Sequence, residues 1–320
     1  MNHPRPPRIV VVGSTMMDLV AYADRVPGAG ETVVGSSFQV GFGGKGANQA
    51  IMARLLGAEV SMVCCVGTDG YGTETLANFA DRGIDTTWAR RAPGTSGVAP
   101  IWVEASGQNR IIILPGANLA MDPEVAVAAV CDGPPPGVVA GQFEVPQSVT
   151  AAAFGAARQR GAITVLNPAP AAPLAPALAA AADWLIPNEV ELAAVASQDA
   201  GGAMPSDGPL TDGLPGDELL RSVAHRAGCR LLVTLGEAGS ALVTTSGDVL
   251  RIAAPVVDAV DTTGAGDAFV GGFIWALASG RSETDAVHIA TTVAADSVTR
   301  PGTQLSFAAP EDYELLLADL

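Results

Sequence analysis

Short apolar runs rich in β-branched residues alternate with helical patterns along most of this 320-residue chain, and this alternation limits its fold more than any other feature. The apolar runs occupy residues 8–12, 60–66, 137–141, 163–166, 184–186 and 230–234. The helical patterns occupy residues 46–56, 73–81, 146–158, 189–196 and 217–227, and a further alanine-rich one ends near residue 181. Runs of this kind are typical of parallel strands that are buried on both faces. The sequence therefore predicts an α/β fold, in which a mainly parallel sheet lies between two layers of helices.

Two segments interrupt this alternation, residues 18–42 and 96–114, because each is predicted to form a pair of strands with no helix between them. In the second, residues 98–104 and 110–114 flank a polar turn, a pattern typical of a hairpin. Two such pairs cannot form a core of their own. We expect them to make one small sheet, a lid over a single domain that spans residues 1–320. The lid's strand edges need a cover, which a second subunit would supply in a homodimer.

The composition excludes several classes of partner. A net charge of −16 and a pI near 4.4 argue against nucleic acids and membranes, both of which require a basic face. The four cysteines and three histidines show no metal-ligand spacing, and no signal peptide is apparent at the start of the chain. We therefore expect a cytoplasmic protein with reduced thiols.

Of the 17 lysines and arginines in the chain, only Lys45 is a lysine. It lies in the glycine-rich residues 41–46, which lead into a helical pattern. Glycines let backbone N–H groups and a ligand come close, and the N-terminus of a helix attracts negative charge. We interpret this turn as part of a ligand site. The alternative is a glycine turn that only serves helix packing.

A second motif, Asp-Thr-Thr-Gly-Ala-Gly-Asp at residues 261–267, lies between a predicted strand at 255–260 and an apolar helix at 269–278. The N–H groups expected to form an anion hole there belong to Gly264, Ala265 and Gly266. Asp267 could serve as a helix cap. However, phosphoryl transfer to an alcohol needs a carboxylate beside such a hole, to orient and deprotonate the hydroxyl. A dinucleotide-binding loop is the alternative, but the turn lies late in the chain and lacks the third glycine.

The segments at residues 43–50 and 261–267 resemble the two signatures of the ribokinase family of carbohydrate kinases, the phosphofructokinase-B type. Further family-like segments follow in the family's order at residues 13–18, 142–144, 166–170, 187–191 and 234–239. The resemblance covers roughly residues 9–306. It implies a three-layer α/β/α ribokinase-like domain with a β-sheet lid, and phosphorylation of D-ribose at its 5-hydroxyl by ATP, with Mg²⁺ and a monovalent cation (K⁺). The alternatives are a kinase of another sugar or nucleoside, and a non-catalytic regulator that binds sugar or nucleotide.

The resemblance also implies roles for individual residues, with Asp267 as the base. The implied sugar-binding residues are Asp18, Gly44, Lys45, Asn48, Glu144 and Asp267. The implied nucleotide-binding residues are Asn188, Thr234, Gly236, Gly239, Gly266 and Thr291. The implied cation ligands are Asp261, Thr263, Ser297, Arg300, Gly302 and Ser306 for the monovalent ion, and Glu191 for Mg²⁺.

Two positions depart from the family pattern. Met16 stands where some ribokinases carry an asparagine two residues before the sugar-binding aspartate, so one polar contact to the sugar is missing. Thr291 stands where the adenine pocket often has asparagine or histidine. The sequence therefore leaves the exact sugar and the preferred nucleotide open.

Overall fold

The structure is a computed structural model that describes residues 5–106, 108–197 and 214–318. Its strands are β1 (Arg8–Val12), β2 (Met16–Ala23), β3 (Ser37–Gly43), β4 (Glu59–Val63), β5 (Cys65–Gly67), β6 (Arg90–Ala92), β7 (Val98–Glu104), β8 (Asn109–Ile111), β9 (Val138–Gly141), β10 (Ile163–Leu166), β11 (Trp184–Leu185), β12 (Arg230–Thr234), β13 (Ser240–Val243) and β14 (Val249–Ile252). Its α-helices are α1 (Lys45–Leu55), α2 (Gly70–Asp81), α3 (Pro123–Cys131), α4 (Gln147–Gln159), α5 (Pro176–Ala179), α6 (Glu189–Ser197), α7 (Asp217–Ala227), α8 (Ala265–Ala278), α9 (Glu283–Ser297) and α10 (Pro310–Leu316).

The main sheet has the strand order β14-β13-β12-β11-β10-β9-β1-β4. All neighbouring strands from β12 to β4 are parallel, whereas β13 and β14 return antiparallel at one edge. Parallel neighbours need helical crossovers, and these crossovers supply the helix layers. The predicted α/β class with a mainly parallel sheet is confirmed.

Strand β1 shows why its residues suit the middle of this sheet. Ile9 and Val11 face one hydrophobic core, and Val10 and Val12 face the other, with no exposed surface on any of the four. Successive side chains of a strand point to opposite faces, so a continuous apolar run fits a sheet that is covered on both sides. Residues of α1, α8 and α9 build the first core, and residues of α3, α4 and α7 build the second.

A second sheet of four strands, which we call the lid sheet, has the order β3-β2-β7-β8. It is built from the two segments in which the sequence pattern shows strand pairs. Strand β2 pairs antiparallel with β3 and parallel with β7. Strand β3 runs directly into α1 through Gly44, so the lid sheet is joined to the glycine-rich turn without a linker.

Two strand predictions are wrong in detail. Residues 255–260 form no strand, because the chain leaves the sheet at the end of β14 and Val256 and Val260 stay largely exposed. Proline at the start of this segment also has no N–H group for a strand ladder. The predicted strand at 60–66 is divided into β4 and β5, since the chain crosses from the main sheet to a two-stranded sheet with β6.

Candidate functional site

The candidate site lies at the carboxyl edge of the main sheet, where ligands bind in open α/β folds. Helix α8 begins there, after Gly264, whose φ of 82° is in the left-handed region. A Cβ at Gly264 would also lie 2.7 Å from Cγ2 of Thr303, so only glycine fits this turn. Asp267 stands in the first turn of the helix and is 6% exposed. The second motif is thus a helix N-terminus with a buried carboxylate.

The N–H groups at this helix start differ from the expected anion hole in one respect. The N–H of Ala265 donates to the carbonyl of Thr262 at 3.2 Å, so it is not free for a ligand. The N–H of Gly266 has no such partner among the described residues, and a Cβ added at Gly266 would meet no atom within 4 Å. The start of helix α8 therefore presents one free donor, the N–H of Gly266, with open space beside Asp267.

Both carboxylate oxygens of Asp267 accept hydrogen bonds from side-chain amides. Nδ2 of Asn48 donates to Oδ2 at 2.8 Å, and Nε2 of Gln49 donates to Oδ1 at 3.2 Å. These amides come from the first turn of α1, which packs against α8. Two fixed donors on a buried carboxylate restrict its rotation and leave its remaining lone pairs for a substrate hydroxyl.

Glu144 lies between the end of β9 and the start of α1. Its Oε2 accepts a short hydrogen bond from Oγ of Ser14 and a bond of 2.9 Å from the N–H of Lys45. Burial raises the pKa of Glu144, and the negative charge of Asp267 adds to this shift. The charge of Lys45 and both hydrogen bonds oppose the shift without cancelling it. Burial alone would lower the pKa of the Lys45 ammonium, but the carboxylates of Asp267, Glu144 and Glu191 outweigh it and raise that pKa. Lys45 is thus a charged ammonium in a group of acids.

Asp18 reaches the same group from the lid sheet. Burial raises its pKa to about 7, and the negative charges of Glu144 and Asp267 add to the shift, while a hydrogen bond with Thr303 opposes it. A Cβ at Gly43 would lie 2.4 Å from Oδ2 of Asp18, so the glycine of β3 leaves room for this carboxyl group. The Asp18 carboxyl group is therefore partly protonated and partly ionised near neutral pH.

Asn188 and Glu191 form a reciprocal cap at the start of α6. The N–H of Asn188 donates to Oε2 of Glu191 at 2.9 Å, and the N–H of Glu191 donates to Oδ1 of Asn188 at 2.8 Å. Burial raises the pKa of Glu191, and the hydrogen bond from Asn188 opposes the shift. The pair has a structural role in this structure, and Oε1 of Glu191 is left for other contacts.

The residues with an implied nucleotide role occupy two places. Thr234 ends β12, and Gly236 and Gly239 form the turn to β13 with φ values of 55° and 90°. A Cβ at Gly239 would lie 2.0 Å from the carbonyl oxygen of Ile252, so this glycine is required by the sheet itself. Thr291 lies in α9, and its hydroxyl donates to the carbonyl of Val287 in the same helix at 2.8 Å.

The residues with an implied monovalent-cation role lie in two loops that are bonded to each other. The carboxylate of Asp261 accepts bonds of 2.9 Å from the N–H groups of Thr263 and Gly302. Burial alone would raise the pKa of Asp261, but the hydrogen bonds to its carboxylate outweigh burial and hold the pKa below its usual range. Nε of Arg300 donates to the carbonyl of Ser306 at 2.7 Å. Ser297 and Ser306 donate their hydroxyls to nearby backbone carbonyls.

Within the described ranges, no group of three or more His, Cys, Asp and Glu side chains has the geometry to hold a metal ion. Helices long and apolar enough to cross a bilayer are likewise missing from the described part of the chain. The carboxylates at the sheet edge are spread around Lys45 instead of converging on one point.

Several polar residues of this site have no role predicted from the sequence: Ser14, Gln49, Asn167, Thr303 and Gln304. Gln49 lies in the family-like segment at residues 43–50, and Asn167 directly follows a buried strand. Both positions could therefore have been recognised from the sequence. Gln304 lies in an irregular loop after α9, where no periodicity or strand end draws attention to it. Its partners can be read only from the folded chain.

Comparisons with known proteins identify the family and the fold of the chain. Residues 6–310 match the model of the pfkB family carbohydrate kinases. A deoxyribokinase from Salmonella typhi is 36% identical over 318 residues, covering 97% of this chain and 98% of the relative. A ribokinase from Mus musculus is 38% identical over 316 residues, covering 97% and 94%. The structure of Arabidopsis thaliana ribokinase complexed with ribose and ATP superposes with a TM-score of 0.83 at 29% identity, covering 98% and 99%.

Proposed function

The chain belongs to the pfkB family of carbohydrate kinases, and on that premise we propose that it transfers the γ-phosphoryl group of ATP to the 5-hydroxyl of D-ribose. The observation that carries this proposal is Asp267, a buried carboxylate held by two amides beside the free N–H of Gly266 at a helix start. A binding protein has no need of a base beside an anion hole. The silent regulator is therefore the weaker alternative.

In the proposed reaction, Asp267 accepts a hydrogen bond from the sugar hydroxyl and then takes its proton as the oxygen attacks the γ-phosphorus. The bond from the γ-phosphorus to the β,γ-bridging oxygen breaks, and ADP leaves. The N–H of Gly266 and the positive end of α8 stabilise negative charge on the transferred group. The amides of Asn48 and Gln49 hold the carboxylate in position, which contributes by orientation.

The sugar is proposed to lie between Asp18 of the lid sheet and Glu144, with Lys45 and Asn48 beside it. A sugar presents both donors and acceptors in a ring, and carboxylates with an ammonium and an amide can pair with them. Gly44 carries no side chain, and a Cβ there would lie 2.7 Å from the N atom of Met16. The glycine thus lets the turn pack directly against the backbone at the start of β2. Met16 is 3% exposed and contacts Asn118, so it offers the sugar no polar group.

The acidic residues of the site fit the two cations that the family implies. Mg²⁺ prefers carboxylate oxygens, phosphates and water, and Oε1 of Glu191 is a carboxylate oxygen of this kind, so Glu191 would hold the ion that neutralises the phosphates. A monovalent cation fits the loops around Asp261, because the lowered pKa of the Asp261 carboxyl group keeps this side chain negatively charged. The carbonyl oxygens of Thr263, Arg300 and Gly302 are proposed to complete that site, together with those of Ser297 and Ser306.

A second candidate acceptor is 2-deoxyribose, which the similarity to a deoxyribokinase favours. The two sugars differ by one hydroxyl. A site that hydrogen-bonds this hydroxyl rejects the sugar that lacks it, because the site's own polar groups lose their partner. Discrimination by an apolar contact is much weaker.

A coupled assay of ADP release with ribose, 2-deoxyribose, fructose and adenosine tests the proposal. We expect ribose to have the highest kcat/KM, and mass spectrometry to identify a sugar monophosphate. If 2-deoxyribose leads by about tenfold, ~1.4 kcal/mol of transition-state binding, the acceptor is wrong and the kinase chemistry is retained. If ADP release does not depend on any sugar or nucleoside, the proposed function is wrong.

We also propose that the protein is a homodimer formed through the lid sheet. In the strand register, Phe38, Val40, Trp102 and Ile112 share the face opposite Asp18. Phe38 is 62% exposed and Ile112 is 52% exposed. An apolar sheet face of this kind, with open edges at β3 and β8, fits a second copy of itself. Phe38→Asp should give a monomer in light scattering, whereas Leu315→Asp, at a site on α10 that is 78% exposed, should not. A monomeric wild-type protein at micromolar concentration would contradict the dimer.

A further inference from the structure

A chain of side-chain hydrogen bonds runs from the surface of α2 to Asp267. Nε of Arg82 donates to Oδ1 of Asn78 at 3.1 Å, and Nδ2 of Asn78 donates to Oε1 of Gln304 at 3.1 Å. Nε2 of Gln304 then donates to Oδ1 of Asn48 at 2.9 Å. Nδ2 of Asn48 donates to Asp267 at 2.8 Å, so four successive bonds join the two ends.

The two ends of the chain fix its direction. A guanidinium can only donate, and a carboxylate can only accept. Each amide in between has one accepting and one donating end, so each must turn its oxygen toward Arg82 and its nitrogen toward Asp267. If one amide alone reverses, two nitrogens face each other at one of its bonds and two oxygens face each other at the other. Gln304 is 4% exposed and Asn48 is 3% exposed, so water cannot relieve such a conflict cheaply.

We propose that Gln304 and Asn78 are positioning residues of the phosphoryl transfer: they set the orientation of the Asn48 amide, and through it the orientation of the Asp267 carboxylate. The inference rests on the proposed role of Asp267 as base. Neither residue belongs to the two family-like segments at residues 43–50 and 261–267. Their contribution is to direct a donor at Oδ2 of Asp267, while Gln49 directs the second donor at Oδ1.

The second donor has its own directional support, which makes the first chain testable by itself. Nε2 of Gln49 also donates to Oδ1 of Asn167 at 3.2 Å, and Nδ2 of Asn167 donates to the carbonyl of Ile186 at 2.8 Å. A backbone carbonyl only accepts, so the Gln49 orientation is set without Arg82. Changes at Asn78 therefore act on one of the two donors to Asp267.

The test reverses the chain at its outer end. In Asn78→Asp, a carboxylate can pair with Arg82 and accept from Gln304, which must then turn its nitrogen outward and its oxygen toward Asn48. Asn48 must in turn direct its oxygen at Asp267, and the two oxygens repel. In Asn78→Leu, the outer bonds are lost but nothing forces a reversal. We expect kcat to fall by about tenfold or more in Asn78→Asp, since small misplacements of a reacting group are costly, and to fall less in Asn78→Leu. The KM for ATP should not change in either.

A merely structural role predicts the opposite order, because aspartate retains the contact with Arg82 and leucine does not. Equal or greater loss of kcat in Asn78→Leu would overturn the proposal. Gln159→Glu, an exposed amide-to-acid change at the end of α4, is the control for added negative charge and should leave kcat unchanged.

A second readout does not use activity and separates this inference from the proposed function. Asp267→Asn gives position 267 an amide that can donate to a reversed Asn48. The substitution should therefore destabilise the Asn78→Asp protein less than it destabilises the wild-type protein. Thermal unfolding of the four proteins in this cycle should show a shift that is not additive. Additive shifts would overturn the chain even in an active kinase, and non-additive shifts would support it even if no sugar is phosphorylated.

Discussion

Two of the carboxylates that are proposed to face the sugar are held in opposite ways. Asp267, at the start of α8 in the core, receives one amide donor on each oxygen. Asp18, on β2 of the lid sheet, is buried near other acids, and its pKa is raised to about 7. The orientation of the first side chain is thus fixed by two hydrogen bonds within the protein. The second has a hydrogen bond with Thr303 but no amide donor on each oxygen, and in the proposed complex sugar hydroxyls would add donors. In the proposed function, the carboxylate of the core carries out the chemistry and the carboxylate of the lid sheet binds the sugar.

The largest effect should come from the core carboxylate. Asp267→Asn keeps the size of the side chain and removes the base, so kcat should fall roughly 10²–10⁴-fold, the usual range for general base catalysis. Calorimetric titration should still detect ATP and sugar. A variant that neither unfolds nor loses more than a fewfold in kcat would contradict the assignment of the base.

A smaller effect is expected at the lid carboxylate, where removing the acid should increase the free energy of unfolding. The folded-state pKa of Asp18 is about 7, against an ordinary value of 3.8, so the folded protein prefers the neutral form. Below pH 4 both states are protonated and no penalty arises. As pH rises toward 7 and beyond, the unfolded state ionises freely and the folded state does so only at a cost of about 4 kcal/mol. Stability from this group is therefore lost as pH rises.

Asp18→Asn removes this penalty and should make the protein more stable than the wild type at high pH. We expect its advantage in free energy of unfolding to grow by about 2–3 kcal/mol from pH 5 to pH 8. Urea unfolding of both proteins at the two pH values measures it. An advantage that is constant or shrinks with pH would show that the pKa of Asp18 is not raised in the folded protein.

Sequence patterns predicted the main sheet well because both faces of its strands are buried. Continuous apolar runs such as that of β1 have no other environment in a protein of this size. The same reasoning failed at residues 255–260, where valines are exposed and composition resembles a strand without one forming. It also failed to separate β4 from β5, since periodicity does not show where a chain leaves one sheet for another.

The candidate site was predictable where a residue follows a strand or opens a helix. Asp267, Glu144 and Lys45 all do so, and the fold brings them into one electrostatic group. Gln304 and Asn78 could not be found this way, because their role depends on partners that lie up to 256 positions away in the sequence. Amide direction is a property of the whole hydrogen-bond chain. No local pattern contains it.

The division of labour between core and lid is tested most directly by titrating sugar against the two asparagine variants in parallel. The account predicts that Asp18→Asn regains most of the wild-type kcat once the sugar is saturating, because binding is what it lost. Asp267→Asn should stay 10²–10⁴-fold slow at every sugar concentration. Recovery of Asp267→Asn at high sugar, or a kcat of Asp18→Asn that stays equally low, would contradict the account.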